Sequence, residues 1–256
     1  MRGLNTSRNI LCDMHSHILP GVDDGCRTLN ESRSILRLCV EQGVGYLAAT
    51  PHYYGDEPVS RFLEKRNTAA EHLMEMMGDE ACPQICLGAE VAYYPGMEYE
   101  DCASELCLGK SNYILFEMPF TRWTPGVLSH VRAFVHRQCV VPIFAHVERY
   151  LRMQDKRTME EFLSIGGLIQ MNNSFLLARS TRRKAVRLLR KGFVDVMGSD
   201  CHNLTTRPPN TGEACLLLEK TGLSDVYAQM NRTMQSIFEE AISGDQAASI
   251  TGRQNS

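Results

Sequence analysis

The sequence predicts an α/β fold around a parallel sheet, and three observations carry that expectation. Short apolar runs alternate with longer stretches of helical period, which is the mark of successive βα units. The chain has 256 residues, 43% of them hydrophobic, enough to bury the core of one barrel-sized α/β domain. Helix stops such as Gln42-Gly43 and Lys191-Gly192 fall where helical stretches give way to apolar runs.

In order along the chain, seven apolar runs are expected as strands: 10–13, 46–50, 85–88, 113–116, 140–145, 168–171 and 194–197. Helices are expected over 31–41, 60–77, 126–137, 158–164 and 180–191, with a further short one within 97–106 and two closing ones over 212–220 and 225–242. The segment Thr158-Met-Glu-Glu161 has the form of a capping box that would start its helix. Residues 1–243 are expected to form a single domain, and 244–256, rich in Ser, Gly, Gln and Ala, a frayed and disordered tail.

Composition excludes several functions. With 27 basic against 30 acidic residues and a formal net charge of -3, no basic field exists to draw in nucleic acid. The first nine residues are polar without an apolar core, and the longest apolar run, 140–145, is too short to span a bilayer. A cytoplasmic protein without membrane insertion is expected. The ten cysteines contain no Cys-x-x-Cys, and the closest pairs, Cys82/Cys86 and Cys102/Cys107, have no matching pair to complete a zinc site. They read as scattered reduced thiols.

Chemistry gathers at the strand ends. The first run leads into His15 and His17, the second into His52, the third into Glu90, the fourth into Glu117, the fifth into His146 and the seventh into Asp200 and His202. In a parallel barrel all C-terminal strand ends meet at one mouth, so residues up to 187 positions apart would converge. His72, His130 and His136 fall mid-helix and are expected to be ordinary surface or hydrogen-bonded residues. In Asp13-Met-His15-Ser-His17 the period of an extended chain puts two imidazoles on one side, within reach of one ion. The run continues through Leu19-Pro20-Gly21-Val22-Asp23-Asp24-Gly25, a turn that returns a carboxylate to the same mouth. Nitrogen and oxygen donors without thiolate suit Mn, Fe, Zn or Co.

Taken with Thr50-Pro51-His52, Gly88-Ala89-Glu90, Phe116-Glu117-Met118-Pro119, Ala145-His146-Val147-Glu148-Arg149 and Gly198-Ser199-Asp200-Cys201-His202, the ordered set resembles the PHP (polymerase and histidinol phosphatase) family. The resemblance is to its branch of bacterial capsule-type, manganese-dependent protein-tyrosine phosphatases, and runs from Asp13 to about Pro209. It implies a distorted seven-stranded, TIM-like β/α barrel with three divalent metals. His15, His17, Glu90 and Asp200 would hold the first metal, Glu90, Glu117 and His146 the second, and Asp24, His52 and His202 the third. Asp24 is chosen over its neighbour Asp23 by its spacing from His17. Arg149 and Arg207 resemble the family's phosphate-binding pair, and with Asp200 they are the implied catalytic residues. The implied partner is a phosphotyrosine protein, such as the tail of a bacterial capsule or exopolysaccharide tyrosine kinase.

Four carboxylates (Asp24, Glu90, Glu117, Asp200) against three divalent ions leave a residual charge of about +2, which attracts a phosphate dianion. A metal-bound hydroxide could then attack phosphorus without a covalent intermediate. Two readings compete for the arginines: bidentate phosphate donors, or salt bridges to helix carboxylates. Cys201 and Arg207 also have the Cys-x5-Arg spacing of the thiol-based tyrosine phosphatases, but no glycine lies between them and Pro208-Pro209 follow. Tyr93-Tyr94-Pro95 and Phe120-Thr-Arg-Trp123 are candidates for an aromatic rim or for loop packing. Another PHP phosphoesterase, such as a histidinol-phosphate phosphatase, and a catalytically idle metal-binding scaffold remain as alternatives.

Overall fold

Nine short strands, all paired in parallel, form two sheets in the computed structural model, which describes residues 10–243. They are β1 (Leu11–Asp13), β2 (Val44–Ala49), β3 (His52–Tyr53), β4 (Gln84–Leu87), β5 (Glu90–Ala92), β6 (Tyr113–Glu117), β7 (Val141–Phe144), β8 (Leu168–Asn172) and β9 (Val196–Gly198). One sheet has the order β1-β2-β4 and the other β3-β5-β6-β7-β8-β9. The second is a curled parallel half-barrel. Just beyond β1 and β9, a parallel bridge between Ser16 and Cys201, with Met14 N–H to Met197 O and Asp200 N–H to His15 O, ties the two sheets together. The expected tail from 244 and the polar first nine residues lie outside the described residues.

The described residues form nine strands where seven were expected, because the short strands β3 and β5 follow the second and third runs as separate segments. Pro51 has no N–H, so the ladder loses a rung between β2 and β3, although Gly88 N–H still reaches Ala49 O and Glu90 N–H reaches Pro51 O. Pairing then resumes in the same register, Ala49 beside Leu87 and His52 beside Glu90.

Nine helices surround the sheets among the described residues: α1 (Leu29–Glu41), α2 (Val59–Met77), α3 (Ala103–Leu106), α4 (Pro125–Gln138), α5 (Lys156–Leu163), α6 (Asn173–Leu177), α7 (Arg182–Arg190), α8 (Thr211–Lys220) and α9 (Ser224–Ser243). Thr28 caps α1 by accepting from Glu31 N–H, and Thr124 caps α4, whose first residue is Pro125. The expected capping box at Thr158 is not the start of α5. Asp155 accepts the Thr158 N–H at 2.9 Å and begins the helix earlier. The segment 97–106 yields a 3-10 turn, Met97–Tyr99, and the short α3. The short α6, directly after β8, carries too few residues to show a period and was not expected. No helix among the described residues is long and apolar enough to cross a membrane.

The inside of the curled sheets is filled from one end by α9. Met234, Ile237, Phe238 and Ala241 pack with Met14, Leu115, Ile143 and Val196 in one buried cluster. Each large apolar side chain so buried contributes about 1.5–3 kcal/mol. Asn231 fastens α9 to β1, its Oδ1 accepting the Cys12 N–H and its Nδ2 donating to Ile10 O. The C-terminal strand ends are left as the polar end, with apolar layers against the flanking helices on either side.

Candidate metal centre

All nine expected ligands come together at that polar end. His15 and His17 follow β1 in extended chain, and their Nε2 atoms lie 3.0 Å apart, as the period of two requires. Glu90, the first residue of β5, is the hub. Its Oε2 is 3.0 Å from His15 Nε2, 3.2 Å from His17 Nε2 and 3.1 Å from His52 Nδ1, and its Oε1 is 2.8 Å from His146 Nε2. Glu117, at the end of β6, reaches the same His146 nitrogen at 3.1 Å. Asp200 Oδ1 is 3.5 Å from His15, 3.4 Å from His17 and 3.6 Å from His202.

Asp23 and Asp24 divide their work. The Asp24 side chain is 68% exposed, and its Oδ1 faces His52 Nε2 at 3.6 Å and His202 Nε2 at 3.5 Å. The Asp23 side chain is 4% exposed and turns the other way, its Oδ2 2.7 Å from His17 Nδ1. It also accepts the backbone N–H of His52 and of Gly25. A carboxylate on Nδ1 fixes the tautomer that leaves Nε2 free for an ion. The turn can close this tightly because residue 25 is glycine: a Cβ there would sit 2.2 Å from His17 O.

Three overlapping sets have donor atoms within 4.8 Å of one another: His17, Asp24, His52 and His202; His15, His17 and Asp200; and His52, Glu90 and Glu117. Set beside the expected sites, the set of His15, His17 and Asp200 lacks Glu90, the set around Asp24 gains His17, and the set around Glu117 has His52 where His146 was expected. His52 stands beside Glu90 and Glu117, while His146 touches both carboxylates directly. Cations fit this donor set. Two imidazole nitrogens and two carboxylate oxygens face one another across one point, and such groups repel unless a proton or a cation lies between them. His52 Nδ1 and His202 Nε2 are buried without a hydrogen-bond partner, although Glu90 and Asp24 oxygens lie close at unsuitable angles.

The charges follow from the packing. Burial by itself would raise the Asp200 and Glu90 carboxyls, yet the imidazoles around them, His15 foremost, hold both well below the usual range. Burial pushes His146 down, but hydrogen bonds to Glu117 and Glu90 outweigh it and raise the ring to about 9. In His202 burial and the neighbouring His17 and Arg207 act together, lowering it to about 4.

Both expected arginines arrive at Asp200. Arg149, in the 3-10 turn Val147–Arg149, donates from Nη2 to Asp200 Oδ2 at 2.7 Å, and Arg207 Nη2 pairs with the same oxygen. Neither makes a salt bridge to a helix carboxylate among the described residues. Their side chains are 37% and 36% exposed, so they remain reachable from solvent.

Several supporting residues escaped the sequence reading. Asn172, at the end of β8, donates from Nδ2 to Asp200 Oδ2 at 2.7 Å. Gln170 accepts the His146 N–H and donates to Asn172 Oδ1, and Tyr150 OH lies 3.2 Å from His146 Nδ1. The sixth expected strand was the one without a charged ligand, so a neutral amide at its end was the available signal. Asn203 gave no such signal, yet its Oδ1 accepts the N–H of Thr205, Thr206 and Arg207 and thereby holds Arg207 in place.

That same loop removes the thiol mechanism. The N–H groups of residues 202, 203, 205, 206 and 207 are all spent within the loop, leaving no amide nest for phosphate. Cys201 is fully buried, and burial pushes its thiol well above the ordinary value. The aromatic stretches also sort themselves. Trp123 is buried with its Nε1–H on Pro119 O, Tyr93 pairs with His130, and Tyr94 with Glu100. Phe120 alone of these stretches stands exposed and stacks on an expected ligand, His146, while Tyr54, not anticipated, stacks on His52. His72 and His136 are exposed, as expected of mid-helix residues.

Comparison with known proteins agrees with this architecture. Tyrosine-protein phosphatase YwqE of Bacillus subtilis (strain 168) is 29% identical over 221 residues, covering 82% of this chain and 84% of its own length. Tyrosine-protein phosphatase CpsB of Streptococcus agalactiae serotype V is 29% identical over 219 residues, covering 80% and 88%. A solved structure from work on YwqE of B. subtilis and CpsB of Streptococcus pneumoniae, described as unique metal-dependent tyrosine phosphatases, matches with a TM-score of 0.75. At 24% identity it covers 90% of this chain and 94% of its own, which establishes the common fold. The family model for capsular polysaccharide synthesis, CpsB/CapC, matches residues 11–236, and the chain belongs to that family.

Proposed function

We propose that this chain is a metal-dependent protein-tyrosine phosphatase. The observation that carries the reading is the meeting of two opposite sites on one residue: Asp200 faces the imidazole cluster with Oδ1 and two arginines with Oδ2. A centre for cations thus adjoins a clamp for an anion, as hydrolysis of a phosphate monoester demands. Membership of CpsB/CapC and the names of YwqE and CpsB support phosphotyrosine as the substrate.

His15, His17, Glu90 and Asp200 would hold one divalent ion, Glu90, Glu117 and His146 a second, and Asp24, His52 and His202 a third, a division supported by the approach of Glu90 to His15 and His17 and of His146 to Glu90 and Glu117. Manganese is the proposed ion. Such ions supply charge for the phosphate dianion and acidify bound water toward neutrality. Asp23 and Tyr150 orient the rings of His17 and His146. Arg149 and Arg207 bind the phosphoryl oxygens and the charge that develops on them. A phenolic leaving group, with a pKa near 10, needs little help from a general acid. The open mouth suits a side chain on an extended tail, and we infer the tail of a capsule or exopolysaccharide tyrosine kinase in the cytoplasm. The reading takes residues 1–243 as one domain. It also counts β2 with β3 and β4 with β5 as single staves of a distorted seven-stave barrel, supported by their common register.

The test is removal and return of metal. Chelation should abolish hydrolysis of a phosphotyrosine peptide, and Mn²⁺ should be among the ions restoring it. Full activity in protein shown to be stripped of metal would exclude the reading.

A further inference from the structure

Phe120 is 48% exposed, an unusual position for so apolar a side chain, and it sits three residues past Glu117 on the rim of the mouth. Its ring stacks on His146 at 5.6 Å and on Tyr150 at 5.5 Å, and the Arg149 guanidinium carbon lies 5.7 Å from its centroid. The ring is therefore beside the arginine assigned to the phosphate. The segment carrying it is fastened on both sides. Trp123 Nε1 donates to Pro119 O at 2.9 Å, Trp123 N–H to Gln154 Oε1 at 2.9 Å, and Gln154 Nε2 to Thr121 O at 2.8 Å. Arg122 adds an ion pair with Asp155. The exposure of Phe120 thus belongs to an anchored loop, and a rigid apolar surface loses little entropy when it is covered.

We propose that Phe120 is the platform for the aryl ring of the substrate, and so the residue that separates aryl from alkyl phosphate monoesters. The inference rests on the phosphomonoesterase reading above. Once the phosphoryl group is on Arg149, the phenyl ring bonded to it through one oxygen has only a short reach, and Phe120 is the exposed apolar face within that reach. Two rings pack well with centroids about 4.5–7 Å apart, whereas the side chain of an alkyl phosphate gains no such contact. Tyr54, the other exposed ring at the mouth, stacks on His52 and lines a cavity with Asp56 and Glu57, so its alanine variant serves as the comparison.

Calorimetric titration of Mn²⁺-loaded protein with benzylphosphonate and methylphosphonate tests this without relying on turnover. The parent should bind the benzyl compound more tightly. Phe120→Ala should weaken benzylphosphonate about fivefold, equivalent to about 1 kcal/mol, and leave methylphosphonate within about twofold. Phe120→Tyr should restore the preference and Phe120→Leu should restore it only in part. With a phosphotyrosine peptide, KM should rise about fivefold in Phe120→Ala while kcat stays within about twofold. Equal weakening of both phosphonates, or a selective loss in Tyr54→Ala instead, overturns the proposal. A parent that shows the benzyl preference but hydrolyses no phosphotyrosine supports the platform and refutes the phosphatase reading. An active parent without the preference does the reverse.

Discussion

The two walls of the mouth are built from different materials. On the side of β1, β3 and β5 stand His15, His17, His52 and Glu90, and beyond them a cavity of about 230 Å³ lined by Asp23, Asp24, Asp56 and Glu57. On the side of β7, β8 and β9 stand Arg149, Arg207 and Asn172, all donors, with Phe120 beside Arg149. The first wall can satisfy only cations, whereas the second adds donors for an anion beside His146 and His202, which face the carboxylates Glu117 and Asp24. Asp200 is the seam, with one oxygen in each wall. The difference teaches that positive charge for a phosphate comes to this mouth in two ways, by bound ions on one side and by guanidinium groups on the other.

Substitutions can break the comparison at the seam or on either side. The largest effect is expected at the seam and its neighbour: Asp200→Ala and His15→Ala should lose nearly all phosphatase activity together with bound metal. Normal metal content in both variants would show that the walls are not joined there. Asp23→Ala touches the first wall only. By freeing His17 Nδ1 it should weaken metal affinity about 10–100-fold while saturating metal restores turnover, as metal titrations monitored by rate can establish.

Arg149→Ala and Arg207→Ala touch the second wall only. Each should keep the full metal complement and lose about tenfold or more in kcat/KM, with Arg→Lys rescuing in part because an ammonium has no planar fork. Parent-like kinetics in both alanine variants would assign the anion to the metals alone. Cys201→Ser belongs to neither wall. Its turnover should stay within about twofold of the parent, while the buried hydroxyl costs about 1–3 kcal/mol of stability in denaturant melts. A dead Cys201→Ser protein with normal metal would restore the thiol as nucleophile.

Much of this was legible in the sequence for a physical reason. A ligand at the end of a parallel strand is placed by the backbone itself, so the apolar runs located Glu90, Glu117 and His146 as soon as they located the strands. His15 and His17 followed from the period of extended chain. What stayed hidden depends on side-chain direction after a turn. Asp23 and Asp24 are adjacent and chemically alike, yet one is buried against His17 and the other faces solvent. Asn203 holds Arg207 through three amides, an arrangement that exists only once the loop has closed. The split of the second strand falls at Pro51, whose missing N–H interrupts the ladder while the register carries on, so the apolar pattern alone did not separate β3 from β2.

His146 and Asp200 share a backbone feature with a consequence for how this protein can change. Both lie in the left-handed region, with φ of 33° and 54°, where a side chain costs of order 1–3 kcal/mol and glycine costs almost nothing. At these two positions the backbone alone would be most comfortable with glycine, while the side chains are the ones the mouth is built from. Relieving the strain with glycine would therefore remove contacts the mouth depends on, His146 to Glu90 and Glu117 and Asp200 to Arg149, Arg207 and Asn172, so backbone comfort and the site pull against each other at these strand ends.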